Sequence, residues 1–176
     1  MTTTEQAMTT SEQNIVTPAQ FQQEITIAQE KAVILKDIVE KQGLYVRVGA
    51  RKHLRVEGWI TLAKGYGYTC KTRSEPLVSD GIYLGAKAYA DVIDQDGIIR
   101  GGADSYCLRD EKGKEEQTFA QLAGMAQTRA ESRAYRELLS WVVILAGYSP
   151  TPYEEIQGTA LEGKLAKEEP QTEVSQ

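Results

Sequence analysis

The residues best equipped for chemistry in this sequence are arginines, lysines and tyrosines rather than acids or nucleophiles. Arg47, Arg51, Lys52 and Arg55 crowd together, Lys64 follows, and Tyr66 and Tyr68 come directly after it. Tyr83, Lys87 and Tyr89 share one side of an alternating stretch, while Arg129, Arg133 and Arg136 recur at spacings of four and three, on one helix face. Guanidinium and ammonium groups bind phosphates whatever the base sequence. Aromatic rings accept unstacked bases at roughly 1–3 kcal/mol each. The two residue types together suit a single strand better than a duplex, whose bases are already stacked. A plainer reading stands beside this one. Tyrosines favour exposed sheet faces through β-propensity alone, and Arg129 and Arg133 can pair with Glu137 inside their own helix.

Other chemistries lack their parts. Gly65-x-Gly67 has neither the third glycine nor the following helix of a dinucleotide loop, and no P-loop pattern occurs. ATP-driven action is therefore not expected. His53 is the one histidine, set in a basic cluster, where a phosphate neighbour or an exposed loop residue is a better reading than a general base. With Cys70 and Cys107 it gives three potential zinc ligands without C-x-x-C spacing, short of a structural site. The two cysteines read as buried, inert thiols. Among the carboxylates, Asp94 and Asp96 belong to a turn. Asp91 and Asp104 can face one another across a hairpin, which keeps a divalent-metal nuclease as a lesser alternative. The expectation is no catalytic residue, no metal and no cofactor.

Charge is unevenly distributed. The chain of 176 residues carries net charge −5, yet residues 45–73 hold seven basic side chains against Glu57 alone. Residues 154–176 hold six glutamates against two lysines. Screening confines each field to about 8 Å at physiological salt, so a basic patch on an acidic protein still attracts phosphate. The longest apolar run, 141–146, is far short of the roughly 20 residues of a spanning helix. The start of the chain lacks a charged-then-apolar leader. A cytoplasmic protein with no membrane contact is expected.

The elements that position these residues follow from periodicity. Residues 1–16 read as a disordered tail, 17–153 as one domain and 154–176 as an acidic disordered tail. Thr17-Pro18 opens a helix whose apolar stripe runs Phe21, Ile25, Ala28, Ala32, Leu35, Val39 and stops at Gly43. It packs on the core or on a neighbouring subunit. A strand over 44–48, a basic loop over 49–53, a short helix over 56–64 and a strand over 68–73 come next. In 82–93 one face is Ile82, Leu84, Ala86, Ala88, Ala90 and Val92, wholly apolar, and the other is aromatic and polar, which is a half-open strand. Asp96-Gly97 predicts a hairpin and 98–109 its return strand. Thr118 and Gln121 predict a capping box opening a helix to Gly147, buried from Leu138 through Leu145, whose Ala126, Ala130 and Ala134 are thin enough to lie on the alanine face. The class is α+β: an antiparallel β-meander packed on a long C-terminal helix, with an N-terminal helix and a short helix after the first strand.

In this order the residues resemble the single-strand annealing recombinases of the Rad-fifty-two type, which are related to phage annealing proteins. That family shows an arginine, a glycine-containing basic loop, an E-G pair opening a short helix, and an aromatic-Gly-Tyr turn. Arg47, residues 49–52, Glu57-Gly58 and the run from Gly65 to Tyr68 match. Its long helix carries T-x-x-x-K-R-A-x-R, matched by Thr128, Arg133-Ala134 and Arg136. Ser132 stands where the motif has lysine, and Ile60 where a basic residue follows E-G-x. Residues 125–134 also resemble M-A-Q-T-R-A-x-S-(R/K)-A of short phage- or plasmid-encoded proteins. The resemblance spans roughly 44–148. It implies a homo-oligomeric ring with a basic outer groove that holds single-stranded DNA, backbone inward, for ATP-independent annealing in homologous recombination or repair. Arg133 and Arg136 would floor that groove, and Arg47, Arg51, Lys52 and Arg55 would wall it. Tyr66 or Tyr68 would stack on bases. The charge pattern itself, apart from the resemblance, adds Lys64, Lys87 and Arg129 as further expected contacts. Independently of the resemblance, the acidic tail over 154–176 is a candidate contact for a protein partner. The other alternative is a non-enzymatic assembly or adaptor protein.

Overall fold

The computed structural model describes residues 16–156. The expected tails over 1–16 and 154–176 lie outside the described residues, apart from Val16 and residues 154–156.

The first helix, α1 (Pro18–Gln42), starts as its capping residues dictate. Thr17 accepts from the Gln20 amide, the Gln20 side chain accepts from the Thr17 amide, and Pro18 occupies the first turn. Gly43 closes it at φ +63°, a left-handed conformation open to glycine. Ala28, Ala32, Leu35 and Val39 are buried as the stripe requires. The first members of that stripe differ. Phe21 is exposed and Ile25 only half-buried, because nothing among the described residues covers the opening turns.

The expected loop over 49–53 is largely strand. β1 (Tyr45–Val48) and β2 (Arg51–Leu54) form a hairpin in the register Tyr45↔Leu54 to Val48↔Arg51. Gly49, at φ +59°, opens its two-residue turn. Then α2 (Val56–Gly65) buries Trp59, Leu62 and Ala63.

The meander is β3 (Thr69–Ser79), β4 (Ile82–Ile93) and β5 (Ile99–Leu108), antiparallel in that spatial order. β3 runs past the expected limit at 73 and through Pro76. It is an edge strand, where a missing N–H need not break the ladder. The last long helix, α3 (Phe119–Leu145), lies on this sheet, opened by the expected Thr118–Gln121 capping box. Ala126, Ala130 and Ala134 on the helix and Ala86, Ala88 and Ala90 on β4 are all buried, so backbone meets sheet across a layer of methyl groups. A larger side chain there would overpack by about 1–3 kcal/mol.

Two expected burials fail at the margins. Ile82 and Leu84 are 63% and 40% exposed, where the alternation continues beyond the helix that covers it. Likewise Trp141, Ile144 and Leu145 stand open on α3, while Leu139, Val142 and Val143 are buried. A four-residue helix, α4 (Tyr153–Ile156), ends the described chain and packs on α3. The arrangement is α+β, as expected. Among the described residues no helix is long and apolar enough to cross a membrane.

Candidate nucleic-acid interface

The basic residues fall into groups that differ in what already holds them. On the β1–β2 hairpin, Arg47, Arg51 and the α2 N-cap residue Arg55 are exposed. None of the three has a carboxylate partner among the described residues. Lys52, their sequence neighbour, turns away. Its Nζ reaches Glu40 on α1 at 2.6 Å and lies 4.7 Å from the Tyr45 ring centroid. The Tyr148 hydroxyl donates to the same carboxylate at 2.9 Å. The Lys52 hydrogen bond, then that of Tyr148, holds the Glu40 carboxyl below its ordinary range. Lys52 is a tie between hairpin and helix. His53 is likewise no phosphate neighbour: it is 5% exposed and its Nδ1 donates to the Thr151 carbonyl at 2.9 Å.

The three α3 arginines part company. Arg129 is a strut. It donates to both Glu111 oxygens, at 2.8 and 2.6 Å, and to the Tyr106 carbonyl at 2.8 Å, with side chains only 13% and 19% exposed for the pair. Burial pushes the Glu111 carboxyl up, but the Arg129 and Leu108 hydrogen bonds and the nearby charges outweigh it and hold it low. Arg133 donates to the Asp104 carbonyl at 2.9 Å. Asp104 and Tyr106 lie two apart on β5, matching the four-residue step on the helix, so Arg129 and Arg133 cap the outer edge of the sheet. Arg136 donates to Glu155 Oε2 at 2.6 Å, and Arg133 Nε lies 3.7 Å from Glu155 Oε1. Ser132 is fully buried and bonds the Arg129 carbonyl, so that position faces the interior.

One short segment joins the hairpin to these arginines. The Ser149 amide donates to the Lys52 carbonyl at 2.9 Å, Thr151 takes His53, and Glu154 Oε1 accepts the Val56 amide at 2.8 Å. Glu155 then meets Arg136 and Arg133. Arg55, one residue before Val56, therefore stands on the same side as the α3 pair. Glu154 serves the α2 N-terminus, where a carboxylate is favourable, and burial pushes its pKa up.

Lys64, Tyr66 and Tyr68 occupy the other end of α2, about 15 Å away for ten residues. Lys64 is exposed in the last turn. Lys31 of α1 sits 3.5 Å over the Tyr66 ring, whose hydroxyl is buried, and the Tyr68 ring lies nearly parallel at 6.3 Å. Tyr66 thus has one face taken. Lys87 is separated from α3 by the sheet itself. It lies 4.6 Å from the Tyr89 ring, 5.3 Å from the Tyr106 ring and 3.3 Å from Asp104. The expectation of one channel gathering every cation is corrected accordingly. Arg55, Arg133 and Arg136 form one neighbourhood, with Arg51 on the His53 face of the hairpin and Arg47 opposite Lys52 on its other face; Lys64 and the tyrosines form a second; Lys87 stands apart; Lys52 and Arg129 are held by carboxylates.

The remaining reactive residues are dispersed. The β4–β5 register sets Asp104 opposite Tyr89 and Asp91 opposite Gly102, so the two aspartates do not face one another, and Arg73 pairs Asp91 at 3.2 Å. Both cysteines are free. Burial, aided by Glu131 and Asp91, pushes the Cys70 thiol up to about 12, and burial also raises Cys107. Sequence reasoning missed Glu154 and Glu155, counted there as tail acid. The available signal was Pro152, a buried residue that fixes the chain just before them. No protein-family model matches the chain, and no curated protein or solved structure matches it significantly.

Proposed function

We propose that this protein binds single-stranded nucleic acid, DNA foremost, through its phosphates and promotes annealing of complementary strands without nucleotide hydrolysis. The observation that carries this reading is the trio Arg47, Arg51 and Arg55, exposed and without carboxylates, with Arg55 on the side of the Arg133–Arg136 pair. Arg47 and Arg51 extend from the two faces of one short hairpin and Arg55 follows it, so a polyanion wrapping the hairpin meets uncompensated guanidiniums and binds with release of its counterions. Tyr68, half-buried and with no cation over its ring among the described residues while Lys31 covers Tyr66, is the better placed tyrosine to stack a base; Lys64 would steer the strand toward it. Such a protein works in recombination or repair, as the motif order already suggests.

The outer side of α1 supports self-association as part of the same reading. Ile27 and Ile34, seven residues apart on the outer side, are 41% and 60% exposed, and Phe21, where the inner stripe runs out uncovered, is 58% exposed. The same face favours the second reading, an assembly or adaptor protein that binds no nucleic acid.

Two complementary labelled oligonucleotides mixed with the protein, without nucleotide, test the first reading. Pairing should accelerate with protein concentration, and a poly-dT oligonucleotide should bind with a strong salt dependence. Oligomers in light scattering together with no shift of either oligonucleotide at low salt refute it in favour of the second.

A further inference from the structure

We infer that Glu155 is an internal competitor for phosphate: its carboxylate occupies the place between Arg133 and Arg136 that a phosphodiester of the bound strand takes. This rests on the nucleic-acid reading above and assigns its regulation. A carboxylate and a phosphodiester present the same face to a guanidinium, two oxygens sharing one negative charge. Glu155 offers one oxygen to Arg136 at 2.6 Å and the other to Arg133 Nε at 3.7 Å. The second contact is long and non-ideal, and Glu155 Oε1 is buried with no hydrogen bond. The site is thus satisfied on the Arg136 side and unsatisfied on the Arg133 side.

The two arginines are also more open than a structural pair requires. Their side chains are 37% and 33% exposed, against 13% for Arg129 in its strut. A ligand can therefore reach the guanidiniums from solvent while Glu155 holds them from within. Nor does Glu155 need the chain to unfold in order to yield. The segment before it is anchored independently, by Thr151 on His53, by buried Pro152 and by Glu154 on the Val56 amide. Rotation of one side chain clears the pair and extends the basic surface from Arg55 onto α3. With Glu155 in place the strand meets only Arg47, Arg51 and Arg55. With it displaced, the strand gains the α3 pair and loses nothing on the hairpin. Affinity is therefore held below what the arginines permit, which favours release and re-pairing of strands.

The test is fluorescence anisotropy with a labelled poly-dT oligonucleotide across a salt titration, on the full chain and its variants. Glu155→Gln keeps shape and removes charge; Glu155→Ala removes the side chain. Both should bind at least about threefold more tightly at about 50 mM salt than the parent, the gain of one further single-strand phosphate contact. Adding Arg133→Gln and Arg136→Gln to Glu155→Gln should abolish the gain. If both Glu155 variants bind as the parent does, while Arg47→Gln/Arg51→Gln/Arg55→Gln binds more weakly, the competitor role is overturned and the nucleic-acid reading stands. If no protein in the set binds at low salt, both fall.

Discussion

Removing Arg129 separates two roles that its position on the arginine face of α3 confuses. As a phosphate contact, it would cost affinity on removal and leave the fold intact. As the strut described above, it should do the reverse. Arg129→Met keeps the aliphatic stem on the sheet edge and deletes the guanidinium. Donations at 2.8 and 2.6 Å to Glu111 and at 2.8 Å to the Tyr106 carbonyl vanish. Glu111 then keeps the Leu108 amide, at 2.9 Å, and the nearby Lys114 charge, with its side chain 19% exposed. Breaking a buried pair by removing one partner costs about 3–5 kcal/mol; residual exposure of both side chains places this pair near the lower end, about 3 kcal/mol. For a domain of this size that is a fall in Tm of roughly 10 °C. The assay is thermal unfolding by circular dichroism, with oligonucleotide affinity measured well below the transition. Arg129→Met/Glu111→Gln, which no longer strands a charge, should recover about half of the loss. A shift under about 2 °C, with weaker and less salt-dependent oligonucleotide binding, would refute the strut and return Arg129 to the interface.

Two further outcomes follow from the same geometry. Arg47→Gln/Arg51→Gln/Arg55→Gln should lower the slope of log affinity against log salt by about 2, since each single-strand phosphate contact contributes about 0.7, and should leave Tm almost unchanged because none of the three is paired. Stability against pH should show two opposed carboxylates in thermal melts between about pH 3 and pH 8. Glu111 is held low, so the unfolded chain binds its proton first; the stability it contributes is present above the ordinary value of 4.5 and is lost as pH falls through the folded value. Glu154 is pushed up by burial, so the folded chain holds the extra proton and stability declines as pH rises from 4.5 toward the folded value. Glu154→Gln should flatten that decline, and an unaltered profile in this variant would count against the burial argument.

Spacing made the architecture readable wherever one neighbour dominates. The alanines at 86, 88 and 90 predicted a close helix, and those at 126, 130 and 134 predicted which face it would use. The capping residues Thr17 and Thr118 act within four residues, so local sequence contains the whole interaction. Charge pairing has no such locality. Lys52 finds Glu40 twelve residues back, His53 finds Thr151 ninety-eight residues on, and Arg129 finds Glu111 eighteen residues back. A face can be read from periodicity, but what stands opposite that face depends on the fold. Hence Arg129, Arg133 and Arg136 were correctly placed on one helix, while their differing partners could not be read there. The Asp91–Asp104 expectation failed on register, which a bulge between Val92 and Ile93 helps to set, and no residue pattern announces that bulge.

The arginines of this protein are better ordered by how replaceable their present partners are than by their place in the sequence. At Arg129 the opposing carboxylate also accepts a backbone amide, and the guanidinium also serves a strand carbonyl, so a phosphate would have to break three arrangements to gain one. Exchange there is unfavourable. At Arg136 the partner is one side chain, and swapping Glu155 for a phosphodiester conserves charge at the site while returning the carboxylate to water. Exchange there is close to balanced. At Arg47, Arg51 and Arg55 there is nothing to displace, and binding gains the full release of counterions. If the proposed function holds, a strand arriving at this surface would engage the hairpin first and the α3 pair second, and would leave Arg129 in its strut. On that reading the order follows from the partners alone, and the hairpin would determine encounter and Glu155 residence.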